Sequence, residues 1–177
     1  MEIPTLISGS PGTGKTTVTR LLASSSDDGI HIETDAFFGF AANLIDPSTP
    51  AAKSQNETII RAYCTAAFVY ADSGFDVFVE GVIGPWMFPI IRPILGPFNY
   101  FLLAADLDIL QERIRLRAGQ PSARPSVVDR MYPQFKDVLA TYDKHVINTE
   151  QHSAQDVAAI IRERIAVGSC VIGPTTE

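Results

Sequence analysis

Short apolar runs alternate along this 177-residue chain with longer segments in which apolar positions recur at helical spacing. That alternation builds a parallel sheet covered by helices, because strands buried on both faces read as nearly continuous hydrophobic runs. Five strands are predicted, at roughly Thr5 to Ser8, Ile30 to Glu33, Asp76 to Glu80, Asn99 to Leu103 and Val146 to Ile147. Helices are predicted from about Lys15 to Ala23, Ala51 to Asp72 and Leu107 to Arg117, with another starting at Val127 and a last from about Ala154 to Val167. Two of the starts carry capping boxes, "SVVD" at 126–129 and "SAQD" at 153–156. In each, the serine can satisfy orphan amides while the acidic residue reaches back to the cap. No repeat or low-complexity linker interrupts the pattern, so residues 1–167 are predicted to form a single domain. The remainder, 168–177, "GSCVIGPTTE", reads as a loose tail or a small extra edge.

Composition narrows the class. The chain is 46% hydrophobic and 19% charged, the balance of a protein that folds around a core. A net charge of -6 disfavours a broad nucleic-acid or anionic-membrane surface, since both need clustered Lys and Arg. Any anion site is therefore local. Cys64 and Cys170 form no CxxC pair or disulfide framework, which fits a reduced, cytoplasmic setting. "MEIPTLISGSPG" has no basic n-region of a secretory signal. The apolar stretch from Val77 to Ala105 is broken by Glu80, Arg92 and four prolines, and is read as buried chain, not a membrane span.

The chemistry begins at "GSPGTGKT". Gly9, Gly14, Lys15 and Thr16 meet G-x-x-x-x-G-K-[ST], with Gly12 an additional glycine inside the loop. The mechanism requires a strand before this loop and a helix after it, and "TLIS" and "KTTVTRLLA" supply them. Backbone amides from Gly9 through Ser10, Pro11, Gly12, Thr13 and Gly14 to Lys15, Thr16 and Thr17 would then surround phosphates at a helix N-terminus. Lys15 would bridge the β- and γ-phosphates, and the Thr16 hydroxyl would hold Mg²⁺.

On these residues the chain resembles the P-loop kinases that phosphorylate small molecules, including adenylate, shikimate and gluconate kinases. "HIETDAFF" is similar to the segment of chloramphenicol phosphotransferase-like proteins in which an aspartate follows the second strand, and "QERIRLR" to the helix leading into the lid of adenylate kinase. The resemblance implies an α/β three-layer sandwich with a five-stranded parallel sheet in the order 2-3-1-4-5. It also implies ATP with Mg²⁺ and a mobile lid, which is short here, at about 117–126. Arg113 would lie near the adenine and Arg117 toward the phosphates, with Asn148 and Thr149 in the loop that passes the base.

Asp35 lies after the second strand at the carboxyl edge of the sheet, where open α/β proteins bind ligands. It either accepts the proton of an attacking hydroxyl, as the resemblance implies, or caps the next helix. Glu80 occupies the place of a metal-supporting acid at the end of the third strand, or else belongs to a strand-end polar network. Five of the ten arginines fall between 113 and 130. Arg124, on a loop before a helix, is suited to reach a γ-phosphate; Arg130 follows one turn into that helix, and Arg115 is expected in solvent. Phe37, Phe38, Phe40 and Trp86 leave the same sheet edge and could form an acceptor wall, or serve as ordinary core. Arg92 is either an anion contact or a snorkelling side chain. His31, within a strand, reads as packed.

The leading functional expectation is an ATP- and Mg²⁺-dependent phosphotransferase acting on a hydroxyl of a small molecule such as an antibiotic, sugar or nucleoside-like compound. A nucleotide or polynucleotide-end kinase is the alternative within catalysis, and a slow nucleotide-dependent switch is the alternative outside it. The chain contains no N-K-x-D run that would select guanine.

Overall fold

The computed structural model describes residues 2–116 and 125–173. Its elements run β1 (Thr5–Gly9), α1 (Lys15–Ser24), β2 (Gly29–Glu33), α2 (Thr34–Phe38), α3 (Lys53–Asp72), β3 (Asp76–Glu80) and α4 (Phe88–Leu95). They continue with β4 (Phe98–Ala104), α5 (Leu107–Arg115), α6 (Pro125–Thr141), β5 (Val146–Asn148), α7 (Ala154–Ala166) and β6 (Val171–Ile172). The sheet order is β2-β3-β1-β4-β5, all parallel, as expected, and β6 adds an antiparallel strand beside β4.

The strands alternate between two cores, as the two-residue period of a doubly covered sheet requires. Leu6, Val77, Val79, Tyr100 and Leu102 join one cluster with Ile60, Tyr63 and Cys64 of α3 and Phe88 and Ile91 of α4. Ile7, Phe78, Phe101, Leu103 and Ile147 face the other way, onto Val18 and Leu22 of α1 and Val157 and Ile161 of α7. The register brings the carboxyl ends of β1, β2 and β3 together, with Ile7 opposite Glu80 and Glu33 opposite Glu80. The side chains that follow those strands therefore gather at one edge.

Several expectations need correction. The box at Ser153 forms in full, with Ser153 and Asp156 bonding reciprocally. The one at 126–129 does not cap a helix, because α6 already begins at Pro125, whose missing N–H costs nothing at a first helical position. Asp129 instead accepts a hydrogen bond from Gln111 Nε2 at 2.7 Å and ties α6 to α5. The proline-rich stretch after β3 contains α4, with Pro89 in the tolerated first turn and Pro93 inside. The segment at 171–172 is an edge strand. The helix predicted to reach Arg117 ends at Arg115. Arg117, Arg124 and most of the 117–126 lid lie outside the described residues. No helix among the described residues is long and apolar enough to cross a membrane.

Candidate active site

The loop between β1 and α1 has the conformation its glycines predict. Gly9, Gly12 and Gly14 take φ of 146°, 91° and 93°, a region that strains any L side chain. The loop is stapled from within, where buried Thr13 donates from Oγ1 to the Ser10 carbonyl at 2.9 Å. Gly14 sits at the N-cap of α1 and offers no side-chain cap. The first-turn amides of Lys15, Thr16 and Thr17 thus stay available to an anion, reinforced by the helix dipole. Lys15 Nζ folds back to donate to the carbonyls of Gly9 at 2.8 Å and Ser10 at 3.1 Å.

At the second residue of α1 the Thr16 hydroxyl donates to Glu80 Oε1 at 2.7 Å. Committing the proton to Glu80 turns the lone pairs of Oγ1 away from it, the orientation a cation would need. Glu80 is 3% exposed, and its other neighbour is His31, with Nε2 at 3.8 Å. Burial alone would raise the pKa of Glu80; His31, Thr16 and the Lys15 charge outweigh it and hold the carboxyl below its ordinary range. Glu80 thus belongs to a strand-end polar network with Thr16 and His31. Among the described residues no group of three His, Cys, Asp or Glu could hold a metal by itself. The donor set suits a hard cation bound largely through phosphate oxygens, which is how Mg²⁺ is bound beside nucleotides.

Asp35 is the second residue of α2, whose N-cap is Glu33, so it does not cap the helix. Its pKa is raised, first by burial and then by Glu80, against the lowering effect of Lys15. Two carboxylates in one site are therefore pushed in opposite directions, one kept ionised and one made more basic.

Two clefts meet at Asp35. The first, about 370 Å³, is lined by Gly12, Gly14, Lys15, Thr16, Thr17, Glu80 and Asp35. It also takes in Arg20, which sequence reasoning passed over. The signal was available, since Arg20 lies one turn beyond Thr16 on the same face of α1. The second cleft, about 440 Å³, lies between α2, α3, the 3-10 turn Pro85–Met87 and α6. Asp35, Phe38, Trp86 and Arg130 line it, together with Asn56, Tyr63, Met131 and Gln134, which no local motif marks.

The other expected aromatics go elsewhere. Phe37 packs edge-on to Tyr63 with ring centroids 6.1 Å apart, and Phe40 is 78% exposed. Arg92 lines neither cleft; its guanidinium lies over the Phe88 ring, 5.6 Å from the centroid, so the expected anion contact is replaced by cation–π packing. Arg115 pairs with Glu112 in an exposed contact at 3.4 Å. Arg113 donates to Thr149 Oγ1 at 2.9 Å and to its carbonyl at 2.7 Å, joining α5 to the loop after β5. Beside it Asn148 Oδ1 accepts from Glu150 N at 2.7 Å. The residues expected at the base thus lie together.

No family model and no curated protein matches the chain. Among solved structures it is similar to a sugar kinase from Janibacter sp. HTCC2649, with a TM-score of 0.70 at 16% identity over 94% of each chain. A tunicamycin resistance protein from Deinococcus radiodurans aligns over 98% of this chain and 100% of its own, with a TM-score of 0.63 at 19% identity. A shikimate kinase from Acinetobacter baumannii covers 94% of each chain, with a TM-score of 0.58 at 17% identity. The fold is that of the P-loop small-molecule kinases.

Proposed function

We propose that this protein is a cytoplasmic, ATP- and Mg²⁺-dependent kinase that moves the γ-phosphoryl group to a hydroxyl of a small molecule. The observation that carries the reading is Asp35, a carboxylate made more basic by burial and standing in the wall common to both clefts. The loop amides and Lys15 would hold the phosphates, which requires Lys15 to exchange its bonds to Gly9 and Ser10 for phosphate oxygens. Thr16 would hold the magnesium ion, with Glu80 orienting the threonine from behind. Magnesium, when bound, neutralises phosphate charge. Arg113 shapes the base end by fixing Thr149, while Arg117 and Arg124 would bring positive charge to the transferring group.

On the acceptor side Asp35 orients the attacking hydroxyl and takes its proton. Phe38 and Trp86 supply apolar surface against the acceptor and exclude water from it. The test is the purified protein with Mg²⁺ and γ-labelled ATP over a broad library of metabolites and antibiotics. Label should enter a hydroxyl compound with the wild type and be lost with Lys15→Ala and Asp35→Asn. ATP binding without transfer to any compound would instead identify a nucleotide-dependent switch.

A further inference from the structure

The wall of the second cleft that carries Trp86 is fixed from the strand that delivers the phosphate loop. Ser8, the residue before Gly9, is wholly buried, and its Oγ accepts from Ile83 N at 3.0 Å. From β4 the wholly buried Tyr100 donates its hydroxyl to the Ile83 carbonyl at 2.8 Å. Burial pushes the phenol pKa of Tyr100 up, so it keeps the proton that this bond needs. Both backbone polar groups of Ile83, just beyond β3, are therefore held by buried side chains. The chain then passes through Gly84 into the 3-10 turn Pro85–Met87, where the proline fixes φ.

Gly84 is the seat of the Trp86 side chain. Its backbone is extended, with φ of -92° and ψ of 160°, which any residue can adopt, so conformation does not call for glycine here. Space does. A Cβ at Gly84 would run into three atoms of the six-membered ring of Trp86 at nearly equal distances, so the indole lies face-on over the bare backbone. Phe135 of α6, 3% exposed, meets the same side chain with centroids 5.8 Å apart and planes tilted by 52°. Trp86 is nonetheless 48% exposed, and it lines the cleft together with Phe38, Val82 and Asp35. Single exposed apolar side chains are common on protein surfaces. One that rests on a glycine, abuts a buried aromatic and rides on a turn bonded to β1 has lost its freedom before any ligand arrives, as a preorganised contact requires.

We infer that Trp86, seated on Gly84, is the platform on which the acceptor stacks, and that the acceptor carries its reactive hydroxyl on or beside a ring whose flat face lies on the indole. Aromatic rings and the C–H faces of sugar rings share this chemistry. An open-chain polyol presents no flat face and gains little from an indole held rigid. The contact sets no condition on charge elsewhere in the acceptor. This inference rests on the kinase reading given above and adds the shape of acceptor that Trp86 selects.

Trp86 is the chain's one tryptophan, so tryptophan emission reports this position alone. For the experiment the labelled-ATP library is divided into aromatic alcohols, ring sugars and open-chain polyols. The best acceptor should fall in one of the first two arms, which also tells the two kinds of ring apart. Its binding should shift the emission to the blue as the half-exposed indole loses water. Trp86→Ala should lower kcat/KM for that acceptor by at least about tenfold, through KM, and leave the KM for ATP unmoved. Trp86→Phe, which keeps a flat ring, should recover part of the loss. Gly84→Ala, which tips the indole without straining the backbone, should raise the acceptor KM with the tryptophan still present. A best acceptor from the polyol arm, an emission unmoved by its binding, or an acceptor KM indifferent to all three variants would overturn the inference while leaving the kinase reading intact. Transfer to no compound in any arm would overturn both.

Discussion

Asp35 and Glu80 show how a single residue's surroundings fix its chemistry. Both are carboxylates near Lys15, yet Glu80 accepts a hydrogen bond from Thr16 and is held ionised, whereas burial dominates at Asp35 and raises its pKa. As a general base Asp35 must be ionised, so kcat/KM should fall as pH drops through its folded pKa. That acidic limb should lie above the 3.8 of a free aspartate. Asp35→Asn should lower turnover by about 10²–10⁴-fold, as steady-state kinetics would show. Its effect on stability has the opposite sign. Because the folded pKa is raised, ionising Asp35 destabilises the fold, and that loss accrues as pH rises from 3.8 through the folded value. The asparagine variant should therefore melt at or above the wild-type temperature at neutral pH, with the difference vanishing in acid. A variant that melts lower at neutral pH would show that Asp35 supports the fold and is not poised for chemistry.

Between elements, the position of Asp35 depends on how α2 meets the end of β3. A Cβ on Gly81, just after β3, would run into the side chain of Thr34, the first residue of α2, and Thr34 is 4% exposed with nowhere to move. Gly81→Ala should displace α2 and carry Asp35 with it. Turnover should drop by at least about tenfold, since small misplacements of a positioned group are expensive. Nucleotide affinity, set by the loop and α1, should change much less in an equilibrium titration. Adding Thr34→Ala should restore part of the turnover, the coupling expected of touching side chains. Two independent losses would sever the proposed link. Contacts of this kind were beyond the sequence. The loop glycines, Lys15, Thr16 and the aspartate after β2 were legible because the chemistry fixes their spacing along one stretch of chain. Asn56, Tyr63 and Gln134 reach the second cleft from helices whose placement depends on tertiary packing. The same holds for Arg92, whose partner Phe88 appears only once the proline-rich stretch is seen to coil into α4. In Ser126 a real capping signal lost to a proline one residue earlier that could begin the helix by itself.

For the whole molecule, the sheet separates function from stability along its strands. The site occupies the edge where β1, β2 and β3 end, while β6 closes the opposite end of β4, pairing Ile172 with Phe98 and Val171 with Asn99. Cys170 is wholly buried in the core under α1 and α7, and Ile172 is 8% exposed in the core under α3 and α4, so this short strand secures both layers. The Cys170 carbonyl also accepts from Tyr100 N at 3.0 Å, and Tyr100 in turn donates to the Ile83 carbonyl at 2.8 Å. Ending the chain after Val167 would remove that burial and open the β4 edge. We expect a loss of about 3 kcal/mol, largely from the isoleucine and cysteine side chains, read as a lower urea midpoint. Because the loop, Thr16, Glu80 and Asp35 take no contacts from β6, the shortened protein should keep the wild-type KM for ATP wherever it remains folded. An unchanged urea midpoint would show that β6 is only an appendage. A raised KM for ATP in the folded truncated protein would show that the two ends of the sheet are coupled, which the separate cores give no reason to expect.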